Sequence, residues 1–274
     1  MVRKLFVYSM LLVLAVGPVL AQNTEMPEKG FCAHRGAMAT HPENTIPAIL
    51  EAIRVGAQMI ELDVQFSRDT AMVLMHDATV DRTTNGSGAV AELTLSELRS
   101  LDAGSWKDSR FSGTRIPVLE EVLDLMPRNI WLNIHLRGGQ SLGSSVARLL
   151  EEKGRTHQAF LAVQEQSRLG ARKASASILI CNMERLSGGE DYVTTTIGME
   201  ANFIQLRGAI RNEFKDYTAD LHRKGIKVNY FGTDEPEAFR TLFELGVDFP
   251  LVNDIAAAME QAEKFGIRRI KPIY

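Results

Sequence analysis

The chain has 274 residues, of which 45% are hydrophobic and 24% charged, a composition that excludes a disordered, collagen-like or coiled-coil protein. Lys and Arg number 31 against 34 Asp and Glu, so the net charge is -3 at pH 7. Because proteins that bind nucleic acid usually carry a basic excess, no nucleic-acid partner is expected. Two cysteines are too few for a disulfide framework.

Residues 1–21 have the pattern of a secretory signal peptide. Two basic residues precede an apolar run over 5–20, and Ala21 stands at the expected cleavage position. The run is shorter than the roughly 20 apolar residues of a membrane span, although a retained anchor is the alternative. We therefore expect a secreted or periplasmic protein without stable membrane insertion after cleavage, and a polar leader over 22–29.

From residue 30 to 274, short apolar runs alternate with amphipathic segments, which is typical of an α/β chain. The apolar runs predict strands at 30–34, 58–65, 71–76, 130–136, 159–163, 177–181, 202–206, 226–231 and 249–252. The amphipathic segments predict helices at 45–56, 118–126, 141–153, 213–224, 235–245 and 254–265. This rhythm favours a (β/α)8 TIM barrel over an open doubly wound sheet. The short link between the second and third strands indicates a hairpin, and which of the nine candidates is surplus stays open.

Residues 77–117 interrupt this rhythm. They are rich in Thr, Ser, Gly and Asp, and only 95–101 has a helical pattern. Because so long an irregular connection in a compact domain is usually functional, we expect a small insertion after the third strand that covers the site. Trp106 and Phe111 would supply its apolar contacts to the substrate. The alternative is a surface insertion without a role in the site.

Polar side chains gather at the ends of the first three predicted strands. His34 can exchange a proton near neutral pH, and Arg35 can grip a phosphate through paired donors. The two-residue period of a strand places Glu61 and Asp63 on one face, where two like charges are costly unless a cation or an arginine joins them. A divalent metal suits these oxygens, and structural salt bridges are the alternative. His76 ends the following strand.

Five ordered motifs cover this part of the chain: His34-Arg35-Gly36, His41-Pro42-Glu43-Asn44-Thr45, Ile60-Glu61-Leu62-Asp63-Val64, His76-Asp77 and Asp81-Arg82-Thr83-Thr84-Asn85-Gly86. Their order and spacing resemble the glycerophosphodiester phosphodiesterase family, and the resemblance weakens beyond residue 130. It implies an irregular (β/α)8 barrel with a small insertion after the His-Asp strand. It also implies hydrolysis of a small-molecule glycerophosphodiester to glycerol 3-phosphate and an alcohol, assisted by one divalent cation.

The resemblance implies a role for each matched residue. It assigns an acid–base pair to His34 and His76, metal ligation to Glu61 and Asp63, and substrate contacts to Arg35 and Glu43. Asn44 is placed to cap the following helix. In this family the attacking group is taken to be the glycerol hydroxyl of the substrate, which forms a cyclic phosphate that water then opens. Which histidine is the base stays open.

The fourth strand departs from the family pattern. The family usually has Glu-x-Lys there, whereas this chain has His135 and Arg137 on the same face of the strand. Arg137 can replace the lysine as a phosphate contact, although its planar guanidinium presents paired N–H donors where the lysine ammonium is a compact charge. His135 would give the metal site a nitrogen ligand, so manganese or zinc is an alternative to the calcium or magnesium that the resemblance implies. A second alternative is that His135 does not reach the metal.

We consider three functions. The first is an exported metal-dependent phosphodiesterase that acts on glycerophosphodiesters. The second is a related phospholipid or inositol-phosphate phosphodiesterase or lyase. The third is a catalytically weakened phosphate-ester binding protein, against which the presence of both His34 and His76 argues, because binding alone does not require the pair.

Overall fold

The computed structural model describes residues 26–185 and 189–274, so the expected signal peptide over 1–21 lies outside the described residues. In the described parts, nine strands form one sheet. They are β1 (Cys32–Ala33), β2 (Met59–Phe66), β3 (Met72–Leu74), β4 (Trp131–Leu136), β5 (Ala159–Val163), β6 (Leu179–Asn182), β7 (Phe203–Arg207), β8 (Lys227–Phe231) and β9 (Phe249–Val252).

Eight of these strands close into a parallel barrel. Around the barrel the order is β1, β2, β4, β5, β6, β7, β8 and β9, and β9 pairs with β1 to complete the ring. The surplus strand is β3, which lies antiparallel on the end of β2 and so confirms the predicted hairpin. The TIM barrel expected from the alternating pattern is therefore confirmed.

The helices surround the barrel. Those of the described residues are α1 (Ile46–Val55), α2 (Leu95–Ser100), α3 (Leu119–Leu125), α4 (Gln140–Glu152), α5 (Glu165–Ala174), α6 (Glu190–Gly198), α7 (Phe214–Arg223), α8 (Pro236–Glu244) and α9 (Ile255–Gln261). None of the helices within residues 26–185 and 189–274 is both long enough and apolar enough to cross a membrane.

Helices α5 and α6 are absent from the sequence prediction, and α5 shows why. Its neighbour α4 approaches so closely that a Cβ atom on Gly143 would lie 2.0 Å from the carbonyl oxygen of Ser167. A Cβ atom on Gly170 would likewise lie 1.9 Å from the carbonyl oxygen of Gln140. The two helices therefore pack through glycines, and no apolar stripe marks this face in the sequence.

Alternation along the strands separates two packed regions. The outward residues of β2 and β4, such as Leu62 and Ile134, pack with the helices in the main core. The inward residues below the site form a second cluster, in which the rings of Phe160 and Phe203 stack with centroids 3.8 Å apart. This cluster fills the barrel below the site, where the buried side chains of Asn133 and Asn229 also point inward.

The chain before β1 closes the lower end of the barrel, at the start of the strands. Met26 packs against the inner cluster, and the Trp131 indole N–H donates to the carbonyl oxygen of Pro27 at 2.9 Å. The Lys227 amine donates to the carbonyl oxygen of Glu28 and also pairs with its carboxylate. The last residues of the expected polar leader thus contact the barrel directly.

Residues 77–117 have a small core of their own. Val80, Val90 and Leu98 are fully buried there and pack with Val73 of β3. The short helix α2 begins with a capping box, in which the Thr94 hydroxyl accepts from the N–H of Glu97 and the Glu97 carboxylate accepts from the N–H of Thr94. The insertion is therefore an ordered layer that follows the β2–β3 hairpin.

Candidate active site

Three potential metal ligands meet at the carboxyl ends of β2 and β4. The two strands pair in a register that places Asp63 opposite His135. One ligand atom from each of Glu61, Asp63 and His135 lies within 4.8 Å of the other two. The His135 Nδ1 atom is 3.1 Å from Asp63 Oδ1 and 3.9 Å from Glu61 Oε1. The structure thus brings together the three residues that the sequence analysis selected as ligands.

Both carboxylates are held by the loop after β1. The Arg35 backbone N–H donates to Glu61 Oε2 at 2.9 Å. The Asn44 side chain pairs with Asp63 twice, because its Nδ2 donates to Oδ2 at 3.0 Å and its Oδ1 accepts from the Asp63 backbone N–H at 3.1 Å. On this edge of β2, β1 pairs only with the first residues and β3 only with the last. Asn44 provides hydrogen bonds to the unpaired stretch between them.

The expected helix cap at Asn44 is wrong. The residue that precedes α1 is Thr45, and no side chain caps this helix end. Asn44 instead has a left-handed backbone with φ of 56°, a conformation that asparagine tolerates better than most residues. This conformation turns its amide towards β2 rather than towards the helix.

The environment of the two carboxylates fits a divalent cation. Burial and the neighbouring Asp63 charge raise the pKa of Glu61 well above its ordinary value. Burial also disfavours the charged form of Asp63, but the hydrogen bond and charge of His135 hold the pKa of Asp63 below its ordinary value. Glu61 therefore needs another positive charge to ionise fully. Two carboxylates and an imidazole are a donor set that binds divalent metals.

His34 is fixed in one tautomer. Its Nδ1 is 2.7 Å from Asn253 Oδ1, and the Asn253 Nδ2 donates to Asp234 at 2.7 Å. Because this bond directs the Asn253 oxygen towards the ring, Nδ1 carries the proton and Nε2 is the basic nitrogen. Burial lowers the pKa of His34 to about 4, although the Asn253 bond acts in the opposite direction. The ring also packs against Phe231, with centroids 4.9 Å apart.

His76 has a different surrounding. Its Nδ1 lies 2.6 Å from Asp77 Oδ1, so Nδ1 donates to a carboxylate, and its Nε2 accepts from the Arg137 guanidinium at 2.7 Å. The backbone at His76 is held by Gln65, whose amide donates to the carbonyl oxygens of Met75 and Asp77, both at 2.8 Å. The sequence analysis gave Gln65 no role, although it lies on the same face of β2 as Asp63.

A chain of charged residues connects the two halves of the site. The Arg35 guanidinium donates to Glu43 at 2.7 Å and lies 3.3 Å from Asp63. Glu43 also accepts two bonds from Arg82, and the Nε of Arg82 donates to Asp77 at 2.6 Å. Although burial opposes ionisation of Glu43, the two arginines hold its pKa below the ordinary value. Both carboxylate oxygens of Glu43, expected to contact substrate, thus contact arginines.

The sequence analysis missed Arg82. It stands in the motif Asp81-Arg82-Thr83-Thr84-Asn85-Gly86, which carried the resemblance but received no chemical role. Its position in that motif is the signal that could have identified it.

Arg137 lies between the metal-ligand cluster and His76. Its Nε donates to the His76 carbonyl oxygen at 3.0 Å and lies 3.8 Å from Asp63 Oδ1. Its side chain is 32% exposed, so a solute can reach the guanidinium. Arg137 therefore combines a contact to a catalytic candidate with an open donor surface.

The first residues of the insertion contact the site directly, and its later residues contact the loop after β1. Arg82 and Asp77 come from its first residues, whereas Phe111 packs on the ring of His41 with centroids 4.9 Å apart. Lys107 donates to the carbonyl oxygen of Met38 at 2.7 Å, and the Trp106 indole N–H donates to the carbonyl oxygen of Ala103. The far end thus packs on the loop after β1.

Comparisons with known proteins identify the family that this chain resembles. The sequence model of the Glycerophosphoryl diester phosphodiesterase family matches residues 34–182. A glycerophosphodiester phosphodiesterase of Caldanaerobacter subterraneus subsp. tengcongensis is 30% identical over 239 residues, which are 85% of this chain and 98% of that protein. YhdW of Bacillus subtilis is 54% identical over 109 residues, which are 40% of this chain and 45% of YhdW. This chain thus spans about half of YhdW.

A solved structure has the same architecture. The crystal structure of a glycerophosphodiester phosphodiesterase from Agrobacterium tumefaciens aligns with a TM-score of 0.72 at 27% identity. The alignment covers 84% of this chain and 99% of that chain.

Proposed function

The chain belongs to the Glycerophosphoryl diester phosphodiesterase family, and we propose that it is an exported, metal-dependent phosphoric diester hydrolase that converts glycerophosphodiesters to glycerol 3-phosphate and an alcohol. The observation that carries this proposal is the cluster of Glu61, Asp63 and His135 at the barrel mouth, flanked by His34 and His76. A phosphodiester is anionic and resists attack. Its cleavage therefore requires neutralised charge, alignment and proton transfer, which these residues can supply together.

Glu61, Asp63 and His135 would hold the cation. A divalent cation bound there supplies positive charge to the non-bridging phosphate oxygens. Arg35 and Arg137 add two guanidinium groups, which can donate to phosphate oxygens. Glu43 holds Arg35 in place through the 2.7 Å bond. Its role in substrate binding is therefore indirect.

The surroundings of the two histidines support different roles. His34 has an unprotonated Nε2 and a neutral ring, so it takes the proton from the glycerol hydroxyl as that oxygen attacks phosphorus. The Nδ1–H of His76 donates to the Asp77 carboxylate, which leaves Nε2 as the atom from which His76 gives a proton to the leaving alcohol oxygen. The phosphorus–alcohol bond breaks and a cyclic phosphate remains.

The second half-reaction reverses these roles. Neutral His76 takes a proton from water as the water oxygen attacks phosphorus, and protonated His34 returns its proton to the attacking glycerol oxygen as the bond between that oxygen and phosphorus breaks. This sequence requires the Nε2 of His76 to be released from Arg137, which donates to it in the structure. When the diester binds, Arg137 turns from His76 to a phosphate oxygen, and its exposed guanidinium has room for this movement.

A substrate panel tests the proposed function. We expect the purified protein to release glycerol 3-phosphate from glycerophosphodiesters, measured by phosphorus NMR, to lose this activity after chelation, and to regain it with added metal. Preferred turnover of an intact phospholipid, or a cyclic phosphate as the final product, would favour the related phosphodiesterase or lyase. Binding of the diesters without turnover would favour the binding protein.

Export is the second part of the proposal. It rests on the two basic residues, the apolar run over 5–20 and Ala21. We expect the full chain, expressed in a bacterial host with a periplasm, to be recovered there with Gln22 as its first residue. Intact Met1 in a membrane fraction would instead indicate a retained anchor.

A further inference from the structure

A cavity of about 650 Å³ opens beside the metal-ligand cluster and is not used by the mechanism above. It lies at the carboxyl ends of β4, β5 and β6, and it shares His135 and Arg137 with the site. Its volume is in the range of pockets that bind small ligands. A group that leaves the phosphate on the Arg137 side would therefore enter this space.

The topology separates this cavity from His34. His34 follows β1 and contacts Asn253 after β9 and Phe231 at the end of β8, so its surroundings come from three adjacent strands. The cavity lies on β4, β5 and β6, on the other side of the barrel. His76 borders the cavity side, because its Nε2 contacts Arg137, which lines the cavity. The two arms of a diester bound at the cluster thus meet different surroundings.

The cavity lining combines the apolar side chains of Leu136 and Met183 with polar ones, and it carries charges of both signs. Beyond the shared residues, it has the side chains of Gln164, Glu165, Gln166, Ser167, Glu184 and Arg185. Amide, hydroxyl, carboxylate and guanidinium groups provide donors and acceptors together, which suits a ligand with several hydroxyl groups. Among the described lining residues none is aromatic, whereas a quaternary ammonium group is usually bound by aromatic rings.

We propose that this cavity binds the alcohol moiety of the diester and that it selects a polyhydroxylated alcohol over a quaternary ammonium alcohol. The inference rests on the proposed function, because it takes the phosphate to lie at the metal-ligand cluster. It adds the side of the barrel on which the leaving alcohol lies and the chemical class of that alcohol. His76, the proposed acid, lies on the same side of the barrel, so the leaving oxygen would lie near the group that gives it a proton.

Gly139 offers a way to narrow the cavity without disturbing the backbone. It lines the cavity, its φ is -93°, and a Cβ atom added there would meet nothing within 4 Å. Gly139→Leu therefore adds a side chain to the cavity lining whose Cβ atom meets no neighbour. Gly198→Leu is the matched control, because Gly198 is exposed at the end of α6 and a Cβ atom there also meets nothing.

The experiment compares diesters that differ only in the alcohol. Kinetics are measured for glycerophosphoinositol, glycerophosphocholine and methyl glycerophosphate. For the wild type we expect kcat/KM on the inositol diester to exceed that on the choline diester about 10-fold or more. In Gly139→Leu, the ratio of KM for the inositol diester to KM for the methyl diester should rise about 10-fold. Gly198→Leu should leave this ratio within twofold.

The outcomes separate the two proposals. If the wild type hydrolyses none of the three diesters, the proposed function fails and this inference fails with it. If it hydrolyses them but Gly139→Leu leaves the KM ratio unchanged, only the cavity assignment is wrong. A preference for the choline diester would overturn the alcohol class. Should Gly139→Leu not fold, Gln166→Trp narrows the cavity from the α5 side, and the same rise in the ratio is expected.

Discussion

Arg82 and Glu43 form a fork-to-fork ion pair, in which two guanidinium nitrogens donate to the two carboxylate oxygens at 2.8 Å each. The same guanidinium donates to Asp77, the partner of His76, and Glu43 accepts from Arg35. One insertion side chain therefore orients the partner of a proposed acid and the partner of a proposed phosphate contact.

This arrangement predicts that Arg82→Lys lowers kcat about 10- to 100-fold while the protein stays folded, because lysine keeps the charge but not the fork. Steady-state kinetics and thermal unfolding measure the two effects. Arg99→Lys is the matched control, since Arg99 of the insertion pairs with Glu121 of α3. Wild-type kcat in Arg82→Lys would show that the ion-pair chain does not position the site.

We expect the largest losses of turnover when the metal-ligand cluster or either of the two proposed catalytic histidines is changed. Glu61→Ala, Asp63→Ala, His34→Ala and His76→Ala should each lower turnover of glycerophosphodiesters by about two orders of magnitude or more. Circular dichroism should remain that of the wild type, because these residues contribute little apolar burial. If both histidine variants retain wild-type turnover, the acid–base mechanism is wrong.

Asn44 predicts an effect on both metal binding and stability. Asn44→Gly keeps the left-handed backbone but removes the amide, which leaves the buried N–H of Asp63 without its acceptor. We expect a loss of about 1–3 kcal/mol in the free energy of unfolding and about 10-fold weaker metal binding. Denaturant unfolding and calorimetric titration measure these. An unchanged metal affinity would mean that Asp63 does not depend on Asn44 for its orientation.

His34 predicts a specific pH dependence. Because burial lowers its pKa to about 4 from the ordinary 6.5, His34 should stay neutral, and able to act as a base, well below pH 6. Between these values the unfolded chain binds a proton that the folded protein does not, so the free energy of unfolding should fall as pH falls through this window. NMR titration, with the His34 signal assigned from its loss in His34→Gln, should give a midpoint near 4. A midpoint near 6.5 would contradict the buried neutral base.

His135 predicts a change in metal preference. As a proposed nitrogen ligand beside two carboxylates, it would favour manganese or zinc over calcium. His135→Ala should weaken transition-metal binding about 10-fold or more, and His135→Glu should shift preference towards calcium or magnesium. Calorimetric titration of the metal-free protein with each ion tests this. Unchanged affinities in both variants would exclude His135 as a ligand.

Alternation along single strands made much of this site predictable. The pattern of β2 and β4 places Glu61, Asp63 and His135 inward, and the parallel register then brings them together. Contacts between distant loops carry no such period. The bond from His34 to Asn253 joins residues 219 positions apart, and a short sequence pattern cannot show it. The same holds for helix α5, whose contact to α4 is made by glycines.

Residues 26–28, which close the lower end of the barrel, determine how the protein is oriented when it is attached through its N-terminus. Pro27 and Glu28 lie against the starts of β4 and β8, at the end opposite the metal-ligand cluster. Residues 26–28 therefore lie on the face turned away from the substrate entrance. If the protein were attached to a surface through its N-terminus, the end of the barrel that holds the metal-ligand cluster would face the surrounding water. A bilayer tether on that side would favour freely diffusing diesters over lipids of the same membrane.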